Sequence, residues 1–271
     1  MKKIRVILLV VLMMLIPYDV HADMGPKPSV NISFSGIEGT FYVTLISPNE
    51  LYGPWSVYDD ENGSQYYNND NKEIFMKFVE YKDPDGYHFL QYMEKCSEDN
   101  AFSWTYYAPE TFKVLIYLVD SDEFICTASY DKYAFDSYYK YDFKTNTLIE
   151  NYNYTWEIIS LIIRVILTIA IEIVVALLFG VFKNNKKTII ITNIITQLIL
   201  NIAVNIINYS AGMLAVVFLI MPIELVVMII ESIVYRKKFV EKKRAIWYAI
   251  FANSVSLVLG LYLAALIPAV F

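Results

Sequence analysis

The residues best able to do chemistry are polar side chains that interrupt four long apolar runs in the second half of the chain. Arg164, Thr168 and Glu172 follow one another at intervals of four, so a helix carries them on one face. The next run carries a stripe of amides at steps of four or three: Asn193, Gln197, Asn201, Asn205 and Asn208. Such stripes can hold a cation, relay a proton or join helices through hydrogen bonds.

Two more carboxylates lie in the third run, where Glu224 and Glu231 are seven residues apart and therefore share a helix face. The fourth run carries Asn253 among apolar residues. At 1.5 Å per residue, one polar group in each run lies about 12–15 Å from the end of its run that carries basic residues. These groups are Glu172, Gln197, Glu224 and Asn253. The sequence therefore predicts one polar layer near the middle of a membrane.

Two interpretations of this layer stay open. Ionisable residues inside a membrane are costly and commonly functional, which favours cation binding or proton transfer by Glu172 and Glu224. Alternatively, the amides and one protonated glutamate join the helices through hydrogen bonds worth about 0.6 to 2 kcal/mol each. The structural or partner-docking role is slightly favoured, because four helices alone make a small transporter.

Signals for enzyme chemistry are weak. The sequence holds two histidines, His21 and His88, and the first lies in a predicted signal peptide. It contains no H-E-x-x-H, G-x-S-x-G, G-x-G-x-x-G or phosphate-binding-loop motif. We therefore predict no catalytic residue, no metal site and no cofactor.

Charge divides the chain into two unlike parts. Residues 23–155 carry 22 acidic and 9 basic side chains, a net charge of −13, whereas residues 156–271 carry 10 basic and 5 acidic ones among mostly apolar residues. A strongly acidic domain argues against nucleic acid as a partner. The apolar second part excludes a soluble cytosolic enzyme and a disordered chain.

The apolar runs predict a multi-pass membrane protein with the lipid bilayer as its partner. Residues 1–22 combine a basic start, an apolar stretch and a small residue at the predicted cleavage point, which is typical of a secretory signal peptide. Four later runs are each long enough to cross a bilayer as a helix. They are residues 158–182, 188–207, 213–234 and 245–270, within a membrane domain of residues 156–271.

Basic residues orient these runs. The first connector carries Lys183, Lys186 and Lys187, the second connector (208–212) has no charge, and the third holds six basic residues between positions 236 and 244. The positive-inside rule places the first and third connectors in the cytoplasm. Residues 23–155 and the C-terminus are then extracytoplasmic, and the signal peptide independently requires the same side for residues 23–155.

Residues 23–155 are predicted to form a mainly-β domain. Alternating or β-branched segments favour strands at 29–34, 39–47, 111–118, 123–129 and 138–143. Residues 72–81 carry an apolar stripe that favours a helix. We expect an antiparallel β-sandwich, immunoglobulin-like or transthyretin-like, with one helix, followed by an all-α four-helix transmembrane bundle.

Cys96 and Cys126 are the only cysteines, and both lie in the predicted exported domain. An oxidising compartment favours one disulfide, which would contribute about 3–4 kcal/mol to stability. A pair of buried thiols is equally compatible with the sequence, because pairing depends on geometry.

Three segments resemble a group of uncharacterised multi-pass membrane proteins from low-GC Gram-positive bacteria. They are 23–29 (DMGPKPS), 112–117 (FKVLIY) and 133–139 (YAFDSYY). The resemblance extends over the whole plan of signal peptide, exported β domain and helical tail. It implies a location in the bacterial plasma membrane, and it implies no activity and no functional residue.

Two functions compete on this basis. In the first, the outward β domain binds a ligand or a protein partner, while the helical tail anchors it or docks onto another membrane subunit. The alternative is an ion- or proton-coupled small transporter or channel, working as a homo-oligomer, that uses the mid-membrane carboxylates.

Overall fold

A computed structural model describes residues 27–37, 39–49, 72–97, 101–105 and 107–266. The chain divides into two compact units, with the boundary between Tyr152 and Asn153. The first unit is mainly β and the second is helical. The predicted signal peptide (1–22) and the last residues of the predicted fourth span (267–270) lie outside the described residues.

The described part of the β unit contains ten strands and one helix. The strands are β1 Ser29–Ser35, β2 Phe41–Ser47, β3 His88–Phe89, β4 Glu94–Cys96, β5 Phe102–Trp104, β6 Thr111–Leu118, β7 Glu123–Cys126, β8 Tyr130–Asp131, β9 Asp136–Asp142 and β10 Thr147–Glu150, and the helix is α1 Lys72–Glu80.

These strands form two sheets. The first sheet has the order β10-β9-β1-β5, and the second has the order β3-β2-β6-β7, with β4 also paired to β2 and β8 to β6. The described pairs are antiparallel, as predicted, apart from β1 and β9, which run parallel from Ser29 beside Asp136 to Ser35 beside Asp142. The immunoglobulin-like or transthyretin-like topology stays a prediction.

Apolar side chains from both sheets fill the space between them, so the unit is a sandwich. The core includes Val30 and Ile32 of β1, Val43 of β2, Val114 of β6 and Tyr139 of β9, all at most 2% exposed. β2 and β6 read as nearly continuous apolar runs because both of their faces are buried.

Helix α1 covers the outer face of the second sheet. Its Phe78 is fully buried against Tyr42, Ile46 and Tyr117. The predicted apolar stripe is therefore the packing face, although Val79 at its edge is exposed. The layers of this unit are sheet, sheet and helix.

The helical unit contains α2 Tyr154–Leu178, α3 Phe182–Lys238 and α4 Lys242–Leu266. Helix α2 begins at an Asn153 cap, whose side chain accepts a 3.0 Å bond from the Trp156 backbone N–H. Three described helices are long and apolar enough to cross a membrane. The prediction of four separate helices is wrong in number, because the second and third predicted spans lie within α3.

Helix α3 reverses direction in its middle. A straight helix of 57 residues would extend about 85 Å, well beyond a hydrocarbon core of about 30 Å. Gly212 departs from helical geometry, with φ 80° and ψ 172°. Beyond it, Tyr235 and Glu231 hydrogen-bond to Asn193 and Thr196, respectively. Residues 182–211 and 213–238 are therefore two antiparallel arms, here called the first and second arm.

Because the arms are antiparallel, the basic residues of the helical unit other than Arg164 gather at one end. Lys183, Lys186 and Lys187 begin the first arm, Arg236–Lys238 close the second, and Lys242–Arg244 open α4. All nine cations are exposed, as is Glu241, which pairs with Arg244 at 2.8 Å. We call this region the basic end. Elsewhere the helices expose large apolar side chains such as Leu178 and Phe218, which suits contact with lipid.

Candidate functional site

Buried polar side chains from α2, both arms of α3 and α4 converge inside the helical unit. We call this group the polar cluster. Its members are Glu172 of α2, Asn193 and Thr196 of the first arm, Glu231 and Tyr235 of the second arm, and Tyr248 and Asn253 of α4. Each is at most 5% exposed, so the cluster is closed to solvent.

Glu231 is fully buried, and each of its carboxylate oxygens accepts one hydrogen bond. The Thr196 hydroxyl donates to Oε1 at 2.6 Å, and the Asn253 amide donates to Oε2 at 2.8 Å. Asn253 Nδ2 also donates to the Ala249 carbonyl at 2.9 Å, so two acceptors fix the orientation of this amide. Glu231 thus has the surroundings of an ionised carboxylate.

Glu172 is also fully buried, but neither of its carboxyl oxygens has a hydrogen-bond partner. The Asn193 side chain lies beside it without reaching hydrogen-bond geometry, and Glu231 and Glu224 are its acidic neighbours. The Tyr248 hydroxyl donates to the backbone carbonyl of Glu172, at 3.5 Å, and not to its carboxyl. Buried polar groups are normally hydrogen-bonded, so Glu172 is the exceptional member of the cluster.

Within the described chain, neither buried acid forms a salt bridge with a basic side chain. Arg164, eight residues before Glu172 on α2, donates instead to Asn205 Oδ1 at 3.3 Å. Two ionised carboxylates in a dry interior without a countercharge would be strongly unfavourable. A proton or a cation must therefore accompany this pair.

Aromatic rings separate the cluster from the basic end. The Tyr235 ring lies 5.1 Å from Phe239 and 5.4 Å from Tyr248 between centroids, and Phe179 packs on Tyr248 at 6.2 Å. Tyr235 also donates to Asn193 Oδ1 at 2.6 Å. These rings therefore close one end of the cluster, and Tyr235 also orients the Asn193 amide.

The structure brings Glu172 and Asn253 of the predicted polar layer together with Glu231, which the sequence placed on the same helix face as Glu224. Gln197 and Asn201 are buried on the first arm, where the Asn201 amide donates to the Gln197 backbone carbonyl at 2.8 Å. Glu224 is only half-buried. Glu224 was predicted for the polar layer from its distance to the end of the third apolar run. The hydrogen bonds to Thr196 and Asn253 instead place Glu231 in the cluster.

Three members of the polar cluster, Thr196, Tyr235 and Tyr248, are not among the residues predicted from the sequence. A usable signal existed for Tyr235, which follows Glu231 by one helical turn and so continues its face. Tyr248 and Thr196 carried no comparable signal, because their roles depend on which helices meet.

A second polar constellation lies in the β unit. Lys113 of β6 donates to both oxygens of Asp83 at 2.9–3.0 Å and to Asp85 at 2.5 Å, and its Nζ lies 4.6 Å from the centre of the Tyr87 ring. Lys113 and Asp83 are almost fully buried at their side chains, whereas Asp85 is 69% exposed. This contact ties the turn after α1 to the second sheet.

The ionisation of this pair follows its contacts. Burial alone would lower the pKa of Lys113, but its hydrogen bonds to Asp85 and Asp83 outweigh burial and raise that pKa. Burial likewise would raise the pKa of Asp83, and the Lys113 bond together with backbone N–H donors from Tyr87 and Asp85 lowers it instead. The pair is therefore an ion pair at neutral pH.

Cys96 and Cys126 are free thiols on strands that do not adjoin. Cys96 of β4 pairs with β2, and Cys126 of β7 pairs with β6, so two strands intervene, a separation of about 14 Å. Cys96 packs in the sandwich core and Cys126 on the α1 side of the sheet. A disulfide needs Cα atoms within about 7 Å, so this fold keeps them apart. Burial raises the pKa of Cys96 to about 12 and also raises the pKa of Cys126.

Among the described residues, no group of three or more His, Cys, Asp or Glu side chains is placed to hold a metal ion. His88 lies exposed on β3. No family model matches the chain, and comparisons with curated proteins and with solved structures also give no match.

Proposed function

We propose that the helical unit binds a proton or a small cation at Glu172 and Glu231 and carries it as part of ion-coupled membrane transport. The observation that supports this function is the Glu172 carboxyl, which is fully buried and has no hydrogen-bond partner. Intramembrane acids mark ion and proton pathways. This observation moves the transport hypothesis ahead of partner binding.

A purely structural role accounts for Glu231 but not for Glu172. Glu231 joins the second arm to the first arm and to α4 through Thr196 and Asn253, as a helix-joining residue should. Glu172 joins nothing through its carboxyl. An acid that adds a burial cost without a compensating bond lowers stability, which is the pattern of a residue kept for function.

We further propose a bacterial plasma-membrane location in which α2, both arms of α3 and α4 cross the bilayer. The basic end is then cytoplasmic, residues 23–155 and the C-terminus are extracytoplasmic, and residues 1–22 are a cleaved signal. The location in bacteria rests on the resemblance to Gram-positive membrane proteins. Four crossings are few for transport, so we propose that the chain works as a homo-oligomer or with a membrane partner.

Transport is tested by reconstituting the full-length chain in liposomes and recording proton, Na⁺ and K⁺ flux under imposed gradients. Flux should occur with the unmodified protein and be lost in Glu172→Gln and Glu231→Gln. Glu241→Gln, on the exposed basic end, is the matched control and should keep full flux. No flux of any of these ions, or equal flux in both cluster variants, would refute the proposal.

A second candidate function is partner binding by the β unit. Within the β unit, the described helix packs on the second sheet, and the outer face of the first sheet exposes Tyr138 and Ile149, at 42% and 56%. Two large exposed side chains on one sheet face suit contact with a ligand or protein partner. Copurification from native membranes should then be lost in Tyr138→Ala with Ile149→Ala, and kept in Val79→Ala. Identical copurification in all variants would remove this candidate.

A further inference from the structure

We infer that the occupant of the polar cluster is a single proton carried by Glu172, rather than a metal cation. This inference rests on the proposed function, because it names the ion that the same site takes. It starts from four buried atoms that lack hydrogen-bond partners: Glu172 Oε1, Glu172 Oε2, Asn253 Oδ1 and Asn193 Nδ2. Three of these atoms are acceptors and one is a donor.

One proton on Glu172 supplies the missing donor. A protonated carboxyl has one O–H donor and one carbonyl acceptor. Its O–H can donate to one of the unpartnered or neighbouring oxygens of the cluster. Its carbonyl oxygen can accept from Asn193 Nδ2, because the Asn193 side chain lies beside Glu172. One proton thus turns one Glu172 oxygen into a donor and leaves the other to accept from Asn193 Nδ2.

The existing donors decide against a metal ion. Thr196 and Asn253 both direct hydrogen toward Glu231. Tyr235 donates its hydroxyl hydrogen to Asn193 Oδ1 and so fixes the orientation of this amide, which lies beside Glu172. A cation site instead turns oxygen lone pairs toward the ion and hydrogens away from it. Apart from the two oxygens of Glu172, the only unpartnered oxygen among the described cluster residues is Asn253 Oδ1, and this surrounding favours a carboxylate and a carboxylic acid over a bound cation.

The charges of the cluster agree with one proton. The ionisable groups that face Glu172 are Glu231 and Glu224 of the second arm, Tyr235 of the same arm and Tyr248 of α4. None of them is a base, and the neighbouring Asn193 of the first arm is neutral. Glu231 accepts two hydrogen bonds, which stabilise its ionised form, whereas Glu172 accepts none. The proton therefore resides on Glu172.

The test is covalent labelling of the full-length protein in membranes with dicyclohexylcarbodiimide. This apolar reagent reacts with a protonated carboxyl by addition: the acid proton moves to a carbodiimide nitrogen, a carboxyl oxygen bonds to the central carbon, and rearrangement gives a stable acylurea without a leaving group. Mass spectrometry locates the adduct. We expect Glu172 to be labelled at neutral pH at the same rate in Na⁺, K⁺ or choline, and Glu172→Gln to remove the label.

At pH values above the titration of the site, labelling should fall about tenfold per pH unit, following the protonated fraction. Asn253→Leu, which removes a donor to Glu231, should move part of the label to Glu231. Slower labelling in Na⁺ or K⁺ than in choline, or an unlabelled Glu172 at neutral pH, would overturn the inference. Labelling does not depend on transport, so a labelled Glu172 without flux would refute the proposed function alone, and Na⁺-protected labelling with Na⁺ flux would refute the inference alone.

Discussion

The Thr196 hydroxyl donates a 2.6 Å hydrogen bond to the Glu231 carboxylate, although the two residues are 35 positions apart in one helix. In a straight helix they would lie about 52 Å apart. A second hydrogen bond, from Tyr235 to Asn193, joins the same two arms about one helical turn away. In each pair one residue precedes Gly212 and the other follows it at a similar distance along the chain. The polar cluster therefore exists only because α3 folds back on itself.

This reversal predicts that both ends of α3 lie on the same side of the membrane. With Cys96 and Cys126 replaced by alanine, Lys187→Cys and Arg236→Cys should react with a membrane-impermeant thiol reagent from one side. Asn208→Cys, near the reversal, should react from the other side, and buried Asn193→Cys should stay unlabelled. Opposite sides for Lys187→Cys and Arg236→Cys would show that α3 crosses without folding back.

The hydrogen bond itself should hold the two arms together. Thr196→Val removes the hydroxyl that donates to Glu231 and should lower the free energy of unfolding in detergent by about 1 kcal/mol. Thr196→Ser keeps the hydroxyl, so its free energy of unfolding should stay close to that of the unmodified protein. A double-mutant cycle with Glu231→Gln isolates the pair from the cost of each single change. Strict additivity in that cycle would mean that the bond does not form.

The sequence predicts those features of the helical unit that depend on the length of an apolar run or on one face of one helix. It does not predict features that depend on which helices pack together. Glu172 and Asn253 were found because each interrupts an apolar run. Glu224 was preferred to Glu231 because depth was counted to Val234, while the helix continues to Lys238. The connector 208–212 was expected to separate two helices, but the helix continues through residues 208–211, and the departure from helical geometry at Gly212 reverses the chain.

The β unit shows the same division. β2, β6 and α1 follow from local periodicity, because the residues that define them also fill their buried faces. β3 and β8, of two residues each, carry no periodic signal and exist through pairing with β2 and β6. Lys113 was not predicted as buried, since its partner Asp83 comes from a turn 30 residues earlier.

The two cysteines should remain thiols even in an oxidising environment. A thiol reagent such as an aromatic disulfide should detect two thiols per chain after unfolding without reductant, because the fold holds Cys96 and Cys126 apart. In the native protein Cys96 should be silent, because burial raises its pKa to about 12 and the thiolate is the reactive form. Fewer than two thiols in the unfolded chain would show that a disulfide forms.

Asp83 should be essential to the β unit, while its neighbour Asp85 should not be. Asp83→Asn leaves the buried Lys113 ammonium without its nearly buried partner and should cost about 3 kcal/mol. Asp85→Asn removes a carboxylate that is 69% exposed and should cost less than about 1 kcal/mol. Hydrogen exchange of the β6 amides in the full-length protein measures both effects locally. Equal protection in the two variants would contradict this ranking.

The same ion pair makes the β unit sensitive to acid. Because the pKa of Asp83 in the folded protein lies below its ordinary value of 3.8, the stabilisation is fully present above pH 3.8 and is lost as the pH falls through the folded value. The raised pKa of Lys113 acts in the opposite direction, so its contribution is complete below 10.5 and is lost only in stronger alkali. The protection of the β6 amides, which is their exchange rate relative to that of an unfolded peptide at the same pH, should therefore be constant across the neutral range and fall below pH 3.8. In Asp83→Asn, β6 should lose less protection below pH 3.8, because the ion pair is no longer there to be broken by acid. An equal loss of protection in this variant and in the unmodified protein would assign the acid sensitivity to other carboxylates.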